Sequence, residues 1–187
     1  MSIRNFTQQI ISELMHNSQY IEDAELDEII KSIRQAKHIF LAGAGRSGIG
    51  VQGFANRLMH LGFDISLVGE ISSPHTKAGD LLIIASGSGE TGSLVALATK
   101  AKAAKVNLAV ITMDRTSTIA RQADTVVMLP GVSPKLKHQG VDITSIQPMG
   151  SAFEQLCFLV YDAIVLALMD ELGETSATMF ERHADLE

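Results

Sequence analysis

Apolar residues in the middle of this chain fall into short unbroken runs, at residues 38–42, 64–68, 80–85, 106–111 and 125–129. Runs of that length, rich in Ile, Leu and Val and lacking polar alternation, predict strands covered on both faces. Between them, residues 49–61, 92–104 and 117–122 carry apolar positions at helical spacing. Strands alternating with helices imply a parallel sheet between helical layers, joined by right-handed crossovers. The expected fold class is α/β: a three-layer α/β/α arrangement around a five-stranded parallel sheet of flavodoxin-like order, 2-1-3-4-5. Upstream, Phe6, Ile10, Ile11 and Leu14, then Leu26, Ile29, Ile30 and Ile33, predict two N-terminal helices over residues 3–16 and 23–36. Downstream, the polar residues 131–147, with Pro134, Lys135, Lys137 and Gly140, predict a long loop of the kind that covers a site. A long helix then starts at Pro148-Met149-Gly150 and stops near Leu172 at Gly173, and residues 177–187 form a short tail.

The 187 residues suit one domain, with helices over 1–36, an α/β core over 37–130 and a C-terminal helix and tail over 148–187. With 46% hydrophobic but only 5% aromatic residues, the core is aliphatic. A formal charge of −6 and the lack of a Lys/Arg cluster argue against a nucleic-acid partner. The single cysteine, Cys157, lies in an apolar run and reads as a buried hydrophobe, which fits a reducing cytoplasm. The N-terminus is polar, without a signal-peptide core, and the longest apolar stretch, residues 156–169, is broken by Asp162. That stretch is too short for a bilayer and reads as a buried helix, so no membrane partner is expected.

Chemistry concentrates in two glycine-rich segments. Ser86-Gly87-Ser88-Gly89-Glu90-Thr91 follows the third predicted strand and precedes a helix. The first turn of a helix has free N–H groups and partial positive charge, which suit a phosphate. Ser86, Ser88 and Thr91 add hydroxyl donors, and Gly87 and Gly89 let the backbone approach the anion. Gly43-Ala44-Gly45-Arg46-Ser47-Gly48 follows the first strand. If strands one and three are neighbours, both segments face one crevice at the carboxyl edge of the sheet. The second segment also matches G-x-G-x-x-G, with Asp64 near the position of a ribose-binding acid, so a dinucleotide stays open. That reading leaves residues 86–91 without a role, whereas a small phosphosugar uses both segments. The scattered histidines lack metal-ligand spacing, so no metal is expected.

The pairing of Gly43-Ala44-Gly45-Arg46-Ser47 with residues 86–91 resembles the SIS (sugar isomerase) domain family. Within it the likeness is to the branch acting on hexulose phosphates, and it runs over almost the whole chain. It is carried further by Arg57-Leu58-Met59-His60-Leu61-Gly62-Phe63, Val68-Gly69-Glu70, residues 147–155 and Arg182-His183-Ala184-Asp185-Leu186-Glu187. The resemblance implies isomerisation of D-arabino-hex-3-ulose 6-phosphate to D-fructose 6-phosphate through an enediol(ate), in the ribulose monophosphate pathway. It implies no cofactor, a sugar-phosphate substrate, a homo-oligomer (tetramer or dimer) and pairing with a 3-hexulose-6-phosphate synthase. Another sugar-phosphate isomerase or a non-catalytic phosphosugar sensor are the alternatives.

Such a reaction needs a phosphate anchor, a base and a group that steadies the enediolate. The substrate-binding candidates are Gly45, Arg46, Ser47, Ser86, Gly87, Ser88, Gly89 and Thr91. Ser47 also suits a cap on a helix starting near Ile49. Arg46 offers a planar fork for enediolate or phosphate oxygens. On its residues alone Glu154 is more readily a surface glutamate on a helix than a catalytic group. The resemblance of residues 149–154 makes it the base, and the apolar neighbours Phe153 and Leu156 would strengthen its hold on a proton. His183 is the second acid/base only through the resemblance of the tail, acting in its own or a neighbouring subunit.

Overall fold

The computed structural model of the chain describes residues 2–136 and 143–186. Two helices open it, α1 (Ile3–Ser18) and α2 (Asp23–Gln35). Then come β1 (Ile39–Gly43), α3 (Gly45–His60), β2 (Ile65–Leu67), β3 (Leu81–Ala85), α4 (Gly92–Ala103), β4 (Asn107–Thr112) and β5 (Thr125–Met128). A single 3₁₀ turn, Ala120–Gln122, precedes β5 where a longer helix was expected. The long helix α5 (Ser151–Leu172) follows, and the tail holds a short helix, α6 (Ser176–Phe180), where no element was expected. Of the expected covering loop, Lys137 and Gly140 lie outside the described residues.

The five strands are all parallel, in the order β2-β1-β3-β4-β5. Side chains alternate across each strand, so the sheet feeds two cores. Ile39, Leu41, Leu81, Ile83, Ala109 and Ile111 meet α2, α3 and α5 on one face. Phe40, Ala42, Leu82, Ile84, Leu108 and Val110 meet α4 on the other. Burial on both faces is why the strands read as unbroken apolar runs.

Gly43 of β1 pairs in register with Ala85 of β3, so the turns after these strands leave the sheet side by side. Close approach there depends on glycine. A Cβ on Gly43 would lie 2.8 Å from Gly48 Cα, and one on Gly48 would lie 2.9 Å from the Gly43 carbonyl oxygen. This lets α3 begin at Gly45, earlier than the expected Ile49. Arg46 and Ser47 therefore stand in the first helical turn, not in a loop.

Helix α5 is the one described helix long and apolar enough to cross a bilayer, and half of its most apolar window is buried within the fold. Phe153, Leu156, Cys157, Val160, Ile164 and Leu168 are core residues, packed against α3 and α1. Burial pushes the Cys157 thiol and the Tyr161 hydroxyl well above their ordinary values, so Cys157 is an inert core residue. Gly173 ends α5 in the left-handed region at φ +68°, as its place in the sequence predicted.

Candidate active site

A cavity of about 380 Å³ opens at the carboxyl ends of β1 and β3. Three helices turn their N-termini toward it. Gly45, Arg46 and Ser47 come from α3, Thr91 and Leu94 from α4, and Gly150, Phe153 and Glu154 from α5. In α3 the first intrahelical bond is Gly48 N–H to the Ala44 carbonyl, and in α4 it is Val95 N–H to the Thr91 carbonyl. The N–H groups before those bonds have no helical acceptor, and their combined partial charge favours an anion.

Ser86 and Ser88 line the same cavity. The hydroxyls of Ser47, Ser86 and Thr91 engage no protein partner among the described residues. Ser88 Oγ accepts the Glu90 N–H at 3.3 Å, which leaves its own proton for a ligand. Ser47 does not cap α3; the N-cap position is Ala44.

Glu154 and Arg46 meet across the mouth. Arg46 Nη1 donates to Glu154 Oε2 at 2.9 Å and to the buried Ser151 hydroxyl at 2.8 Å. The guanidinium is half exposed and the carboxylate largely covered. Glu154 was expected in apolar surroundings, but it faces a cation. The turn of α5 is responsible: Phe153, Leu156 and Cys157 point to the core while Glu154 points to the crevice. The pair orients the carboxylate, and Phe153, Met113 and Leu94 supply an apolar wall.

Two candidates do not reach the cavity. Gly89 is buried at φ +60°, and its N–H already donates to the Ser86 carbonyl at 3.0 Å. A Cβ there would strike Ser117 Oγ, so this glycine closes a tight turn, and its N–H is not free for an anion. His183 lies at the other end of the molecule. Its ring stacks on His60 at 5.3 Å and on Phe180 at 5.6 Å, beside the C-terminus of α3. That helix begins at the cavity, so at about 1.5 Å per residue some 20 Å separates His183 from it. Arg182 holds the tail down, donating to the His60 carbonyl at 2.8 Å and to Glu174. The Arg182 hydrogen bond, with a second from the Thr178 hydroxyl, holds the Glu174 carboxyl below the usual range.

The sequence reading assigned no role to Met113, Ser133, Lys135 and Ser151. Lys135 belongs to the polar loop expected over residues 131–147, and the usable signal was its place after the carboxyl end of β5. Glu90, His75 and Glu70 lie outside the cavity lining; the Glu90 carboxylate accepts the Thr118 N–H at 2.6 Å.

Together these features define an open α/β protein with an anion-accepting pocket where the strand order reverses, and a carboxylate held beside it. The sequence family model described as the SIS domain matches residues 32–159, and the chain belongs to that family. Over the full length of both chains it is 46% identical to a Bacillus subtilis (strain 168) protein named 3-hexulose-6-phosphate isomerase. A Mycobacterium gastri protein of the same name is 36% identical over 99% of this chain and 92% of that one. Among solved structures, a hypothetical protein from Methanococcus jannaschii superposes with a TM-score of 0.82 at 31% identity, over 98% of this chain and 99% of that one. Its crystal structure was reported as inferring a 3-hexulose-6-phosphate isomerase function.

Proposed function

We propose that the chain isomerises D-arabino-hex-3-ulose 6-phosphate to D-fructose 6-phosphate, the 6-phospho-3-hexuloisomerase reaction of the ribulose monophosphate pathway. The convergence of three helix N-termini and free hydroxyls beside Glu154 supports a phosphosugar with a reacting carbon close by. The choice of hexulose rests on the whole-length likeness to relatives named for that reaction.

In this reading Ser47, Ser86, Ser88 and Thr91, with the backbone N–H groups of Gly45 and Gly87, hold the phosphate. The phosphate does not react; its binding energy holds C2 in place for proton removal. Glu154 takes the C2 proton, and the C2–H electron pair becomes the C2–C3 double bond of an enediolate. Arg46 steadies the enediolate oxygens. Return of a proton to C3, with loss of the proton on O2, leaves the carbonyl at C2. No net oxidation occurs, so no redox cofactor is needed. His183 serves as second acid/base in a neighbouring subunit, a reading supported by its exposed position on the tail away from its own cavity. The protein is then a homo-oligomer, a tetramer or dimer, working in the cytoplasm beside the 3-hexulose-6-phosphate synthase that makes its substrate.

The test is turnover of hexulose 6-phosphate by wild type and Glu154→Gln. Removing a general base lowers kcat roughly 10²- to 10⁴-fold, while phosphosugar affinity stays within about threefold because the anchor is on other elements. Faster turnover of a pentose or heptose phosphate by the wild type would overturn the choice of sugar. For the tail, mixing subunits of Glu154→Gln with subunits of His183→Gln restores activity only if the two residues meet across an interface.

A further inference from the structure

Ser151 and Glu154 lie in the first turn of α5, directly after the segment that delivers this helix to the pocket. That segment is poorly supported by its own chemistry. Met149 sits in the left-handed region at φ +59°, which is unfavourable for a residue with a side chain. The N-cap position is Gly150, which has no side chain to cap the helix. Yet Gly150 and Met149 line the cavity, and the Ser151 hydroxyl receives Arg46.

The support comes from α1, outside the stretch that matches the family model. The Glu13 carboxylate accepts the Ser145 hydroxyl at 2.5 Å, the Ile146 N–H at 3.1 Å and the Gln147 side-chain amide at 3.3 Å. Ser145 Oγ in turn accepts the Gln147 N–H at 3.0 Å, which closes the turn over the carboxylate. Hydrogen bonds to an ionised acceptor are the strong kind, and here they converge on consecutive residues just before the strained Met149. Helix α1 is otherwise largely exposed, and Leu14 anchors it to the core beside α5. Glu13 is thus on a rigid element tied to the same helix whose start it holds.

We propose that Glu13 is a positioning residue for the isomerase site. It clamps residues 145–147 to α1 and thereby sets Glu154 and Ser151 against Arg46. The inference rests on the isomerase reading above. The phosphate anchor comes from β1, β3 and their following helices, so losing the clamp displaces the base and leaves the anchor in place. A displacement of about 1 Å at a reacting group can cost up to about a hundredfold in rate.

The experiment compares wild type, Glu13→Ala and Glu13→Gln by backbone hydrogen exchange without substrate, thermal unfolding, and kcat and KM on hexulose 6-phosphate. Glu13→Ala is expected to raise exchange at least tenfold across residues 146–154, with other core amides unchanged. Its kcat falls at least tenfold while KM stays within about threefold. Glu13→Gln keeps a carbonyl acceptor and recovers part of both losses. Unchanged exchange at residues 146–154, or a uniform rise with a matching loss of folded protein, overturns the clamp. Changed exchange with unchanged kcat overturns the positioning role. Exchange is read without turnover, so a wild type inactive on the hexulose phosphate counts against the isomerase reading alone.

Discussion

Arg46 makes two contacts through one nitrogen, to Glu154 and to Ser151, and leaves the rest of its fork to the cavity. The guanidinium is half exposed, so the ion pair adds little to stability, on the order of 0–1 kcal/mol. Arg46→Lys should therefore leave the urea midpoint nearly unchanged and lower kcat roughly ten- to a hundredfold, since an ammonium has no planar fork. Equal loss of stability and rate would mean that the pair is structural. His60 makes folding depend on pH on the acidic side of neutrality. It is buried, and its proton affinity is lowered by desolvation first, then by Arg57 and His183. The folded chain thus holds His60 neutral at a pH where the unfolded chain, with an ordinary value of about 6.5, takes up a proton. Above that value stability is independent of this group. As pH falls through it, protonation draws the equilibrium toward the unfolded state until the native histidine also titrates. Urea unfolding at pH 7.5 and 5.5 should show a larger drop for wild type than for His60→Asn. At this scale the shared place of Arg46, Ser47, Ser86, Ser88 and Thr91 at one cavity was legible in the sequence because each adjoins a glycine-rich turn. Glu13 was not, since one glutamate on a helix carries no local mark of a partner more than a hundred residues away.

Helix α3 shows what elements add to residues. A segment with glycines at positions 43, 45 and 48 reads as a loop, because glycine is a poor helix former. In the fold the same glycines let the helix start directly against β1. Gly48→Ala would push a methyl into the Gly43 carbonyl, displace the first turn and carry Arg46 and Ser47 with it. The expected result is a loss of about 1–3 kcal/mol in unfolding free energy, with weaker phosphosugar binding than at a surface control such as Gln52→Ala. Retained affinity would mean that the first turn of α3 is not part of the anchor. The strands were legible almost residue for residue, since burial on both faces leaves continuous apolar runs. The helix after β4 shrank to a single 3₁₀ turn and α6 went unforeseen, because pieces that short lack a periodic signal.

On the whole molecule, the outward face of α5 carries Phe158, Leu159 and Leu166, all about half exposed or more, and Ile49 of α3 lies beside it. Phe158 covers Gly50 and Gly53 of α3, so the patch is continuous across both helices. This face, next to the Arg46–Glu154 pair, is the surface that the proposed oligomer would bury. Light scattering should give a multiple of the chain mass for wild type and a smaller species for Leu166→Asp. If His183 acts across the interface, the variant also loses activity at concentrations where it is dissociated. A monomeric wild type would remove that role from His183.

Strand positions, sheet class, both glycine-rich turns and the family were all readable along the chain, because they follow from local periodicity and from residues adjacent in sequence. The pairing of Arg46 with Glu154, the third helix N-terminus at the pocket, the Glu13 clamp and the distance of His183 from its own cavity were not. Each joins segments far apart in sequence, and their meeting depends on which strands are neighbours and how α5 packs across α3 and α1.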